Sequence, residues 1–124
     1  MILVDTSVWI DQLRFVDEGL VAILESGQVA NHHFVTGELA CGNLRNREEI
    51  LNLLKSLPQV LTATEAEVLF FMEQHKLMGQ GLGYIDCHLL TSTALTPSTR
   101  LWTRDKSLKA AATSLNLIYQ EVEA

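Results

Sequence analysis

Three acidic residues stand where this sequence otherwise avoids charge. Asp5 is the only charge in the first ten residues, MILVDTSVWI, and it ends the apolar run Met1, Ile2, Leu3, Val4. Glu38 is the only Asp, Glu, Lys or Arg between Ser26 and Leu44, and Asp86 the only one between Leu77 and Thr99. A carboxylate buried without a partner is costly, so three such segments ask for a common cause. Asp105 joins them because, like Asp5, it follows a predicted strand, RLWT, and precedes a predicted helix. Taken singly, each acid has a plain structural explanation. Asp5 and Asp105 suit helix N-caps, and Glu38 and Asp86 suit solvent-facing or arginine-paired positions.

Topology links the four. In an open parallel sheet, ligands bind beyond the carboxyl ends of the strands. Asp5 and Asp105 occupy that edge if the strands before them are parallel neighbours. Glu38 and Asp86, each early in a helix, can be brought to it. Four carboxylates in one pocket raise one another's pKa values unless a cation neutralises them. Oxygen-only ligands favour Mg²⁺ or Mn²⁺ over zinc, as one ion or two, and no His/Cys cluster competes. Such a site suits phosphate substrates, by activating a water and stabilising the leaving oxygen. On this reading Asp5 is a metal ligand.

The elements that must carry these residues follow from local pattern. Residues 2–4 read as a short buried strand and roughly 6–14 as a helix. DEGLVAILES (17–26) is helical, with an acidic first turn and Gly27 as its stop. QVANHHFV reads as a second strand and TGELACGNL as a short helix. NREEILNLLKSLP is the clearest helix: Ile50, Leu53, Leu54 and Leu57 recur at helical spacing, and Asn46 with Glu49 has capping-box spacing. QVLTA is a third strand. Thr64 and Glu67 form another capping box before a helix through VLFFMEQHKLM. The turn GQGLG leads into a helix over YIDCHLLTSTAL, then RLWT is a strand, DKSLKAAATSL a helix and NLIYQ a last strand. Strands alternating with helices predict an α/β fold with a mostly parallel sheet.

Composition bounds the class. A chain of 124 residues with 48% hydrophobic content fits one domain, 1–124, with a sizeable core. No stretch approaches the roughly 18 apolar residues of a membrane span, and the first run is too short for a signal peptide, which predicts a soluble protein. Cys41 and Cys87 lie far apart with no metal-type spacing, predicting a cytoplasmic protein with two reduced core thiols. A net charge of −6 argues against a nucleic-acid partner. Four carboxylates around two divalent cations would carry no net local charge, however, so the distribution of charge decides.

His88 is two residues from Asp86 and so points elsewhere on a helix; His32, His33 and His75 have no better claim to catalysis. GQGLG follows a helix rather than a strand and is no dinucleotide fingerprint. Arg14, Arg45, Arg47, Arg104 and Lys106 are candidate RNA contacts, several of them flanking the acids, with ordinary surface charge as the alternative. Trp9, Leu13, Phe15 and the run Val68 to Met72 read mostly as core. That run is apolar on nearly every helical face, which leaves room for an interface.

With the acids placed, MILVDTSVWI, TGEL, GYIDCHLL and LWTRDKSL in this order resemble the PIN-domain ribonucleases, specifically the VapC-type toxins of bacterial type II toxin–antitoxin pairs. The resemblance spans essentially the whole chain. It implies a three-layer α/β/α domain with a short, mostly parallel sheet. Asp5, Glu38, Asp86 and Asp105 match the family's acidic quartet, Thr6 or Ser7 its hydroxyl near the first acid, and Thr103 the hydroxyl near the fourth. It further implies one or two Mg²⁺ or Mn²⁺ ions and phosphodiester cleavage by an activated water, leaving a 5′-phosphate. Relatives form homodimers and bind an antitoxin whose C-terminal tail lies in a groove beside the site.

Rival readings fit less well. A phosphoacceptor receiver domain needs paired acids after its first strand and an acceptor Asp after its third, and QVLTAT has none. A haloacid-dehalogenase-type phosphatase needs Asp-x-Asp where this chain has Asp-Thr-Ser. A PIN-type RNA-processing nuclease without antitoxin, or a non-catalytic RNA- or protein-binding PIN-like module, remains the alternative.

Overall fold

Three short strands, all parallel, form the centre of the computed structural model, which describes residues 1–121. β1 (Ile2–Val4) lies between β2 (Val29–Ala30) and β3 (Arg100–Trp102). Ile2 pairs with Val29 and Arg100, and Val4 with Trp102. Successive side chains of a strand point to opposite faces, yet Ile2, Leu3 and Val4 are all buried. Both faces of β1 are therefore covered, the mark of a parallel sheet sandwiched by helices. Seven helices supply that cover among the described residues: α1 (Thr6–Arg14), α2 (Glu18–Glu25), α3 (His33–Ala40), α4 (Arg47–Ser56), α5 (Glu65–His75), α6 (Tyr84–Leu95) and α7 (Lys106–Ser114). This is the α/β/α arrangement the sequence predicts.

Several boundaries differ from expectation, each for a local reason. The strand expected over QVANHHFV stops at Ala30, because the His32 ring accepts the N–H of Phe34 at 3.0 Å and caps α3 two residues on. QVLTA and NLIYQ extend the sheet by a single parallel bridge each, Asn31 to Gln59 and Leu101 to Ile118, at its two edges. Pro58, with no N–H to give, precedes the first of these. Asn46 does not cap α4: it sits in the left-handed region at φ 54° with no side-chain bond to the helix. Leu53 turns outward and Leu51 packs against the core in its place. Thr64 and Glu67 do form the expected capping box, and α5 ends at His75 because Lys76 turns left-handed at φ 52°. Gly27, at φ 72°, closes α2 as predicted.

The expected core needs two corrections as well. Trp9 and Val68 are buried, but Leu13, Phe15, Leu69 and Phe70 are exposed, Phe15 at 81% and Phe70 at 68%. Cys87 is a buried thiol as expected, whereas Cys41 is exposed at the end of α3. No helix among the described residues is long and apolar enough to cross a membrane.

Candidate functional site

Parallel pairing sends the ends of β1 and β3 out of the sheet side by side, and an acid follows each. Asp5 is the N-cap of α1 and Asp105 the N-cap of α7. Asp86 is the third residue of α6, where its Oδ2 accepts the N–H of Gly83 at 3.0 Å. Three of the four acids thus stand at helix N-termini, where unpaired N–H groups and the helix dipole favour negative charge. The N-cap reading of Asp5 and Asp105 and the site reading are compatible, because one carboxylate oxygen serves each. Glu38 comes from the second turn of α3, which packs against α1.

Hydrogen bonds fix the orientation of these carboxylates. Asp5 is buried, 6% exposed, and its Oδ2 accepts from Ser7 Oγ at 2.7 Å and Thr103 Oγ1 at 2.8 Å. Thr6 Oγ1 donates to Glu38 Oε1 at 2.8 Å. Asp105 Oδ1 accepts the N–H of Leu108 at 3.0 Å. Each acid is held by one oxygen; Asp5 Oδ1, Glu38 Oε2, Asp86 Oδ1 and Asp105 Oδ2 have no hydrogen-bond partner among the described residues. All three hydroxyls singled out in the sequence therefore touch an acid of the quartet, Thr103 and Ser7 on Asp5 and Thr6 on Glu38.

The four carboxylates act on one another. Burial and then repulsion from Asp5 and Asp86 raise the Glu38 pKa, against the lowering effect of the Thr6 bond. Burial likewise raises Asp86, opposed by Gly83 and reinforced by Asp105 and Asp5. Among the described residues no three His, Cys, Asp or Glu side chains stand close enough to enclose a cation as they are. The donor chemistry fits a hard divalent ion: four carboxylates, each with one uncommitted oxygen, and repulsion that only positive charge relieves. Glu38 and Asp105 are exposed, whereas Asp5 is buried and held by two hydroxyls.

The basic residues divide. Arg14 and Arg45 are exposed and, with Glu38, Ile10, Leu13, Leu39 and Leu44, line a groove of about 390 Å³ beside the acids. Lys106 is exposed at the start of α7. Arg47 and Arg104 are engaged within the chain instead. Arg47 caps the end of α3, donating to Ala40 O at 2.7 Å and Gly42 O at 3.2 Å. Arg104 binds Asp11, Asp17 and Glu121. Burial opposes its charge, yet the bonds to Asp17, Asp11 and Glu121 outweigh that and raise its pKa. The phosphate contacts expected of these two arginines meet guanidinium groups that carbonyls and carboxylates already hold.

The histidines lie away from the acids. His88 is buried on α6 with its ring against Phe34 and Tyr84, and His32 Nε2 sits 3.2 Å from Ser92 Oγ, joining α3 to α6. Sequence reasoning overlooked this bridge, as it overlooked Asp11, Asp17 and Glu121. No local signal marks any of them, since a histidine N-cap falls outside the usual capping types and the acids lie among ordinary surface charges.

Comparison with known proteins supplies the family. No family model matches the chain. It is 49% identical over 111 residues to Ribonuclease VapC32 of Mycobacterium tuberculosis, in two strains, covering 90% of each protein. Its fold is similar to FitAcB from Neisseria gonorrhoeae, with a TM-score of 0.62 at 23% identity over 91% of this chain and 94% of the other. FitAB bound to an IR36 DNA fragment gives 0.62 at 20% identity over 91% of each. Identity near one half along almost the full length goes well beyond shared architecture: the chain belongs to the VapC family of PIN-domain ribonucleases.

Proposed function

We propose that this chain is a metal-dependent endoribonuclease and the toxin of a toxin–antitoxin pair, acting in the cytoplasm and inhibited by a cognate antitoxin. One observation carries the reading: Asp5, Glu38, Asp86 and Asp105 lie near enough to repel one another, each with an oxygen left over. The name Ribonuclease VapC32, borne by a relative at 49% identity, supports RNA as the substrate. Membership of the VapC family supports an antitoxin as the partner.

Asp5, Asp86 and Asp105 would hold Mg²⁺ or Mn²⁺, one ion or two. Bound there, the metal supplies Lewis-acid stabilisation of phosphate charge and activation of a water. Glu38, which is exposed, would ligate the ion or orient the attacking water, with Thr6 holding its Oε1. Ser7 and Thr103 hold Asp5 through Oδ2 and leave Oδ1 available to an ion. Arg14, Arg45 and Lys106 take up RNA phosphates, whose contacts position a nucleic acid without reading its sequence. The antitoxin tail covers the groove of Ile10, Leu13, Leu39 and Leu44. Exposed Leu69 and Phe70 on α5 form the homodimer interface.

Cleavage of a structured RNA pool in Mg²⁺, Mn²⁺ or chelator tests this, comparing wild type with Asp5→Ala and Asp86→Asn. Metal-dependent cutting lost in both variants, with circular dichroism unchanged, is the expected result. Cutting that survives chelation or both substitutions would mean that the quartet is structural.

A further inference from the structure

Arg104 lies between Thr103 and Asp105, at the point where β3 leaves the sheet, and it grips α1 twice. Its backbone N–H donates to Ser7 Oγ at 2.9 Å, and its Nη1 donates to Asp11 Oδ2 at 2.8 Å. Ser7 and Asp11 are four residues apart and so lie on one face of α1. That helix begins at Asp5, its N-cap. Nη2 of Arg104 binds Asp17, the N-cap of α2, and Nε donates to Glu121 at 2.7 Å. The guanidinium lies over the Trp102 ring, 5.4 Å from its centre, and Trp102 Nε1 in turn donates to Glu121. The whole fork is thereby oriented by acceptors from three separate segments and by an aromatic floor.

We propose that Arg104 is a positioning residue for the metal site, setting the separation of Asp105 from Asp5 by clamping the β3–α7 junction onto α1. The inference rests on the nuclease reading above. Arg104 is 28% exposed and its three carboxylates form one network around a single fork, an arrangement that fixes geometry where an isolated surface pair would not. From the site side the junction is held by Arg104 N–H on Ser7 Oγ, Thr103 Oγ1 on Asp5, the Asp5 N–H on Trp102 O at 2.9 Å and a 3.3 Å contact between the Ser7 and Thr103 hydroxyls. Asp105 adds a bond within the segment, its N–H on Thr103 Oγ1 at 3.1 Å. The guanidinium anchors the same segment from the opposite side. A planar fork fixes direction as well as charge, which the point charge of lysine does not.

Manganese binding to the RNA-free protein, followed by electron paramagnetic resonance, tests the clamp in R104M, R104K and D11N beside wild type and D5A. The expected result is Mn²⁺ affinity weakened about tenfold or more in R104M, less in R104K, and about two- to threefold in D11N. RNA cleavage in R104M should recover partly as Mn²⁺ is raised. A folded R104M that binds Mn²⁺ within twofold of wild type would overturn the clamp. Full wild-type affinity in R104K would overturn the role of the fork, leaving charge alone. If R104M fails to fold, R104K and D11N decide by the same criterion. Mn²⁺ binding absent from wild type and D5A alike would instead overturn the metal-site reading, and this inference with it.

Discussion

Thr103 Oγ1 donates to Asp5 Oδ2 over 2.8 Å, joining residues 98 positions apart in the sequence. Asp5 ends β1 and Thr103 follows β3, so the bond crosses between the two parallel neighbours at the carboxyl edge of the sheet. It is buried, and the other oxygen of Asp5 has no hydrogen-bond partner among the described residues.

Replacing Thr103 with valine keeps the shape and removes this donor. A buried carboxylate that loses a partner costs roughly 1–3 kcal/mol. Thr103→Val should therefore lower the unfolding free energy measured by urea denaturation by that amount, moving the midpoint down, and weaken Mn²⁺ binding. An unchanged midpoint would show that Ser7 alone suffices to hold Asp5.

Glu38 and Thr6 separate a chemical role from an orienting one. Glu38→Gln should slow RNA cleavage by about 100-fold or more, the range typical of a lost acid–base or positioning carboxylate. Thr6→Val removes one hydrogen bond only and should slow it by roughly tenfold or less. The two rates, measured at saturating metal, distinguish these cases; equal losses would make the Thr6 hydroxyl a participant.

Metal removal should destabilise the fold, because four carboxylates then repel without compensation. At a metal concentration of about 100 Kd, binding to the folded state alone contributes ~2.7 kcal/mol. Thermal unfolding with Mn²⁺ and with chelator should show this gap in wild type, and Asp5→Ala should abolish it. A shift of equal size in Asp5→Ala would place the ion elsewhere.

Acid should weaken the α3–α6 junction through His32. Burial first, and then the neighbouring rings of His33 and His88, lower its pKa to about 4. Between roughly pH 6.5 and 4 the unfolded chain binds more protons there than the folded one, so stability falls as pH falls through that window. His88, also lowered by burial, adds in the same direction. His32→Asn retains a capping acceptor but cannot titrate. Urea midpoints across this window should fall less steeply in that variant, and an identical slope would assign the effect to other groups.

Phe70 on α5, 68% exposed, should mediate self-association. Light scattering should give a dimer mass for wild type and a monomer for Phe70→Glu. A monomeric wild type would remove α5 from the interface.

How much of this was legible beforehand differs from element to element. The acids could be found because their segments are otherwise apolar, and charge scarcity is a property of sequence alone. Helices α5, α6 and α7 were legible from caps and turn glycines, which act within a few residues. The edge strands were overcalled, because apolar content in QVLTA and NLIYQ does not state how many residues a neighbour will pair. Leu13 and Phe70 read as core because hydrophobicity carries no direction.

The sequence by itself determined the four carboxylates, the alternation of strand and helix that brings them to one sheet edge, and the family. Tertiary structure alone decided which hydroxyl holds which acid, and that Arg47 and Arg104 serve the fold rather than stand free. The physical reason is range. Periodicity and capping are written in neighbours three or four residues apart, whereas the partners of Arg104 lie 93, 87 and 17 positions away and meet only when the sheet has closed.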